Sequence, residues 1–223
     1  LNAELANKLA DGKAPAVGRS AEYLAVVRAR VEALAAYRER IRQTAVTMAE
    51  RILDGGTWHA QSLEYPGLAS DLQSVECGPM IVNNRPWDPA RPNVLLVSAV
   101  SPAFADEVEL AAARRQEGAF VIAVGPTAGD GVTPAQGLLT VADAGFDNLS
   151  PEADGVIAIQ GRATPICPAS AMVGNVIQQL ICAQWADEMI QRGAPPVFYR
   201  GMNQVGSKQF NEANQRLLER RGY

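Results

Sequence analysis

From Val94 to Gln116 the chain reads VLLVSAVSPAFADEVELAAARRQ, and this stretch decides the fold. Val94 to Val97 is a continuous apolar run framed by Pro92 and Ser98. A strand that is apolar at every position is covered on both faces, as in a parallel sheet enclosed by helices. Phe104 to Gln116 then reads as a helix. Between the two, Ser98 ends the strand, Ser101 is a natural N-cap and Pro102 suits a first helical position. Two hydroxyls and a helix N-terminus therefore converge, a combination that fits phosphate. Asp106 and Glu107 also place negative charge near the helix dipole, which satisfies such a helix without a ligand, so both readings stand.

Working outward, Thr57 to Ala60 and Met80 to Val82 read as short strands, and Ala119 to Val124 and Leu138 to Phe146 as further buried ones. Gln61 to Gly78 is polar and irregular, with a helical turn around Leu68 to Val75. Strands alternating with helices imply a doubly wound α/β fold, a parallel sheet with helices on both sides. Ligands lodge outside the carboxyl ends of such strands, which directs attention to the loops starting at Gln61, Ser98 and Gly125.

Toward the C-terminus, ATPICPASAMVG (Ala163–Gly174) leads into the most apolar helix of the chain. Val173, Val176, Ile177, Leu180, Ile181, Trp185, Met189 and Ile190 recur three and four apart, and Gly193 with Pro195 and Pro196 ends the run. Pro168 is placed to start this helix and Ser170 to lie in its first turn, as a cap or beside a bound anion. Toward the N-terminus, residues 1–19 read as an arm, and Ser20 opens a long helix that Gly55 and Gly56 close. A helix of that length covers either its own core or a second subunit.

The 223 residues, 23.8 kDa, suffice for one sizeable core over residues 20–223. A formal charge of −4 and a pI near 5.1 give no general attraction to nucleic acid or to an anionic membrane. Cys77, Cys167 and Cys182 are an odd count without metal spacing, which points to a reducing cytoplasm. No stretch reads as a signal peptide or is apolar for long enough to span a bilayer, and the start at Leu1 rather than Met points to residues upstream.

Five pieces in order carry a resemblance: VADAGFDN (Val141–Asn148), ADGVIAI (Ala153–Ile159), PASAMVG (Pro168–Gly174) with the apolar helix, PPVF (Pro195–Phe198) and NQRLL (Asn214–Leu218). The chain resembles the sugar isomerase (SIS) domain superfamily, and more narrowly bacterial SIS proteins described as phosphosugar or phosphoheptose isomerases. The resemblance covers about two thirds of the chain, strongest from Val94 onward. It implies a three-layer, Rossmann-like, five-stranded parallel sheet flanked by helices, here with a long N-terminal helix. It further implies a homodimer, formed here through the long N-terminal helix and the C-terminal region, and a phosphorylated sugar held in serine- or threonine-rich loops without a cofactor.

Residue by residue, the resemblance puts Ser170 on the serine of the family's P-T-S-T loop, with Ala169 and Ala171 in place of both threonines. Ser98 and Ser101 fall near the S-x-S-G loop, and Glu109 matches the following helix's glutamate if one extra residue is allowed in the loop. Where the family has a glycine-serine-glycine turn after the first strand, this chain has WHAQSLE (Trp58–Glu64), which leaves Gln61 and Ser62 as the polar residues facing a sugar. The glycine of the second loop is also missing. Degenerate phosphate loops of this kind admit a second reading, a non-catalytic domain that senses a sugar phosphate or acts as an assembly partner.

Aldose–ketose isomerisation needs a base that moves a proton between adjacent carbons, and Glu109, His59 and Glu64 are the candidates. His59 is the only histidine, so no histidine pair can hold a metal, and none is expected. Arg200 offers a guanidinium that can clamp an anion or form an ion pair.

Overall fold

The computed structural model describes residues 18–74, 76–102, 104–127, 137–150 and 154–222. Residues 1–17 of the expected arm and residues 128–136, in and after the loop that starts at Gly125, lie outside the described residues.

In chain order, helix α1 (Arg19–Ala33) passes through a 3-10 turn (Leu34–Tyr37) into α2 (Arg38–Leu53). Strand β1 (Trp58–Gln61), a 3-10 turn (Pro66–Ala69), β2 (Val94–Ser98), α3 (Ala105–Gln116) and β3 (Phe120–Gly125) follow. The chain then forms α4 (Leu138–Val141), β4 (Ala144–Asp147), β5 (Gly155–Ile157), β6 (Ile166–Pro168), α5 (Ser170–Gln191) and α6 (Ser207–Arg221). The main sheet runs β1-β2-β3-β4 with every pair parallel, and β5 and β6 form a separate antiparallel pair.

Side-chain alternation along the strands divides the interior into two layers. Trp58, Ala60, Val94, Leu96, Ile122, Val124 and Phe146 face α2 and α5, where Trp185 packs edge-on to Trp58 at 5.1 Å between ring centroids. Leu95, Val97, Val121 and Ala123 face the other way, against Ala111 of α3 and Leu138 of α4. Helices on both faces explain why β2 is buried throughout, and the long helix and the doubly wound α/β architecture are present as the sequence implies.

The fifth strand of the expected sheet is reduced to one parallel bridge, Trp58 to Val82, among the described residues. The reason lies in Asn83, whose side chain takes the place of a neighbouring strand. Its Oδ1 accepts the Ala60 amide at 3.2 Å and its Nδ2 donates to the Ala60 carbonyl at 3.0 Å, while Gln73 donates to the same carbonyl at 2.7 Å. Asn83 itself is left-handed, φ 51°, which turns the chain away from the sheet.

Other boundaries also moved. Leu138 to Phe146 is a short helix followed by a strand, because an apolar run alone does not separate the two states. Gly145 allows the two to pack closely, since a Cβ there would stand 2.6 Å from the Leu139 carbonyl oxygen. The long helix begins at Arg19, with the Gly18 carbonyl accepting the Ala21 and Glu22 amides at 3.0 and 3.2 Å, so Ser20 lies inside it. Ser101 and Pro102 do not start α3: Phe104 is the N-cap, and its ring packs among the residues under α3. Pro168 does not start α5 either, because it pairs with Gly155 in the small sheet and the helix opens at Ser170.

Candidate functional site

Gln61, Ser98, Gly125 and Asp147 end the four parallel strands, so the edge just beyond them is where a doubly wound sheet presents ligand-binding loops. Two polar clusters form there.

The first lies beyond β1 and β2. Glu107, in the first turn of α3, is fully buried. Its Oε1 accepts the amides of Leu63 and Glu64 at 2.9 and 2.8 Å, which fixes the loop after β1 against the carboxylate. Gln178, fully buried on α5, donates through Nε2 to the Leu68 carbonyl at 2.6 Å and to the Ser98 hydroxyl at 3.0 Å. The remaining polar atoms, Glu107 Oε2, Gln178 Oε1 and Ser62 Oγ, are buried and have no hydrogen-bond partner among the described residues. An unpaired buried polar group costs about 1–3 kcal/mol, and these three belong to elements that meet beyond the carboxyl ends of β1 and β2.

The second cluster lies beyond β3 and β4, at the start of α5. Asp154 Oδ1 accepts the Ser170 amide at 3.0 Å and the Ala169 amide at 3.4 Å, and Oδ2 accepts the Ser170 hydroxyl. The N-terminal amides of a 22-residue helix thus meet a carboxylate from the chain itself. Asn148 approaches the Ser170 carbonyl at 3.5 Å, Asp147 accepts the Thr127 hydroxyl, and Arg30 reaches across from α1 to donate to Ser150 Oγ at 3.3 Å.

The structure separates the residues that sequence reasoning grouped. Ser98 and Ser62 are at the first cluster, Ser170 is at the second, and Ser101 is half-buried in the turn before α3. Gln61 ends β1 half-buried. Glu109 and Glu64 are exposed, and the carboxylate that reaches the β1 loop belongs to Glu107 instead. Arg200 stacks on Phe210 at 4.0 Å, beside α6.

His59 sits two residues before the end of β1, paired with Leu95 and therefore on the sheet face opposite Ser98. Its ring lies 5.0 Å from that of Trp87, and its Nε2 is 2.7 Å from Thr57 Oγ1. The Thr57 hydroxyl donates to Asn93 Oδ1 at 2.8 Å, while Asn93 Nδ2 donates to the Asp88 carbonyl at 2.7 Å. The threonine proton is committed, so His59 donates through Nε2. Burial first, and then the Arg114 charge, hold the imidazole below its ordinary pKa of 6.5 despite a hydrogen bond with Asn83.

Sequence reasoning missed Glu107, Gln178 and Asp154 as a set. Gln178 carried a signal, being a polar residue within a helix otherwise apolar on that face. Asp154 carried none, since its partner is set only when β5 and β6 pair. Among the described residues no group of three His, Cys, Asp or Glu is placed to hold a metal.

Over 131 residues, 57% of this chain, the sequence is 34% identical to the UPF0309 proteins of Brucella canis and Brucella abortus. Over 130 residues it is 32% identical to that of Brucella anthropi. The chain is similar to the UPF0309 proteins. It spans about half the length of these curated relatives, 52%. No protein-family model matches. Among solved structures, a hypothetical protein aligns over 88% of this chain and 96% of its own, with a TM-score of 0.49 and 16% identity. A "putative phosphosugar isomerase" from Silicibacter pomeroyi DSS-3 aligns over 75% of this chain and 52% of its own, with a TM-score of 0.43 and 16% identity. This chain has a parallel sheet with helices on both faces, and no described helix is long and apolar enough to cross a membrane.

Proposed function

We propose that residues 20–223 form a single SIS-type domain that binds a sugar beyond the carboxyl ends of β1 and β2. The observation that carries this reading is the set of unpaired buried atoms, Glu107 Oε2, Gln178 Oε1 and Ser62 Oγ. A sugar is dense in hydroxyl donors, and a site whose acceptors are already desolvated gains most from a ligand that pairs them. The resemblance to SIS domains supports the same ligand class and extends it to a phosphorylated sugar and to aldose–ketose isomerisation.

If the site isomerises its ligand, Glu107 is the base, since it is the buried carboxylate at this edge. One observation favours the non-catalytic alternative, a sugar sensor. Isomerisation also needs a group that polarises the carbonyl, and the loops at residues 61–69 and 98–107 contain no Lys, Arg or His. Incubation of aldoses with the protein in D2O separates the two: deuterium entering at the sugar's C2 identifies an isomerase, and binding without exchange identifies a sensor.

The domain is further proposed to work as a homodimer in the cytoplasm. A groove of about 600 Å³ runs between the N-terminal helices and α5, lined by Val31, Leu34, Ile41, Val176 and Leu180. Leu180 and Met172 on α5 are 41% and 48% exposed, so the face is apolar and open. Three free cysteines accord with a reducing compartment.

A further inference from the structure

We infer that the ligand of this site is an unphosphorylated sugar. The inference rests on the sugar-binding reading above and concerns which sugars qualify.

The charge at the carboxyl edge of the sheet is the first reason. Residues 61–69, 98–107, 125–127, 147–150 and 168–178, with Asp154, bring Glu64, Asp106, Glu107, Asp147 and Asp154 to this side and not one Lys or Arg. Arg30 arrives from α1, and its guanidinium donates to Ser150 at the far cluster. A phosphate monoester, at about −2 near neutral pH, would enter a field of its own sign.

Helix N-termini are the usual remedy for missing cations, and here both carry anions of the chain. At α5 the Asp154 carboxylate accepts both the Ala169 and Ser170 amides as well as the Ser170 hydroxyl, the same donors a phosphate would use. At α3 the first turn contains Asp106 and Glu107.

The chemistry of the unpaired atoms is the third reason. Gln178 Oε1 accepts, Glu107 Oε2 accepts as a carboxylate, and Ser62 Oγ can do either. Hydroxyl groups of a free sugar donate to all three. A phosphate ester keeps the sugar's other hydroxyls, but the group converted to an ionised phosphate no longer donates, so it offers these atoms one donor fewer.

Thermal-shift titration of the full chain with matched pairs tests the inference: D-glucose and its 6-phosphate, D-fructose and its 6-phosphate, D-ribose and its 5-phosphate, at constant ionic strength. A ligand that binds the folded state raises Tm with the logarithm of its concentration. At least one free sugar is expected to do so, with its phosphate ester more than about tenfold weaker, and inorganic phosphate is expected to give no shift. An ester that binds as tightly as its free sugar, or more tightly, overturns the inference while leaving sugar binding intact. A panel in which neither free sugars nor esters shift Tm overturns the sugar-binding reading itself.

Discussion

Asp154 and Ser170, 16 residues apart in the chain, are joined at the start of α5 by two bonds to one carboxylate. The Ser170 amide and hydroxyl both donate, so the serine that resembles a phosphate ligand is already engaged by an internal anion. Replacing Asp154 with alanine leaves two helix amides and a buried hydroxyl to find other partners. Asp154→Ala is expected to destabilise the fold by about 1–3 kcal/mol in urea titration, with Asp154→Asn losing less because an amide oxygen still accepts. No change in the urea midpoint for Asp154→Ala would mean that the carboxylate is dispensable to α5.

Glu107 has a structural oxygen and an unpaired one, and two substitutions separate them. Glu107→Gln keeps an acceptor for the Leu63 and Glu64 amides and is expected to melt within a few degrees of the unaltered chain. Glu107→Ala strands both amides and is expected to cost about 2–3 kcal/mol. Equal melting temperatures for the two variants would contradict this assignment of the oxygens.

The lowered pKa of His59 fixes the sign of a pH effect. In the unfolded chain the imidazole titrates near 6.5, and in the folded chain below it. Protons therefore bind the unfolded state more readily, so the contribution of neutral His59 to stability is complete above about pH 6.5 and falls as pH drops toward the folded value. Urea midpoints measured from pH 8 to pH 5 should decline less for His59→Gln than for the unaltered chain. Parallel declines would show that another group carries the effect.

Burial pushes the Cys182 thiol up to about 12, whereas Cys77 is exposed. At pH 8 a maleimide should modify Cys77 within minutes and leave Cys182 intact until denaturant is added, as peptide mass mapping would show. Labelling of Cys182 in the native protein would indicate that α5 opens far more readily than its packing implies.

The open α5 face gives a test of assembly. Sedimentation velocity should find a particle of twice 23.8 kDa, and Leu180→Asp should return it to the single-chain mass without lowering helical content. A monomeric unaltered chain would remove the dimer from the account.

Much of the fold was legible because its strongest signals are local. The unbroken apolar run of β2 and the three-four spacing along α5 each identify an element without reference to anything distant. What escaped was decided by contacts across the chain. The ladder beyond β1 stops because Asn83 occupies it, and α4 sits where a strand was expected because Leu138 is buried against the α3 side. At the site the difference is one of helix face. Glu107 and Glu109 lie two positions apart on a helix, which puts them on different faces, so a slip of two residues exchanges a buried carboxylate for an exposed one. Ser62 and Ser98 are named from sequence, but Glu107, which holds the loop just after Ser62, and Gln178, which donates to Ser98, come from elements brought in by folding.

A crystal structure of the protein with the free sugar that gives the largest thermal shift tests the central claim most directly. The account requires ordered sugar beyond β1 and β2, with hydroxyls within hydrogen-bonding distance of Glu107 Oε2 and Gln178 Oε1 and with Asp154 still on Ser170. Sugar bound elsewhere with those two oxygens unpaired, or seated on the amides of α5 after Asp154 has moved away, would contradict it.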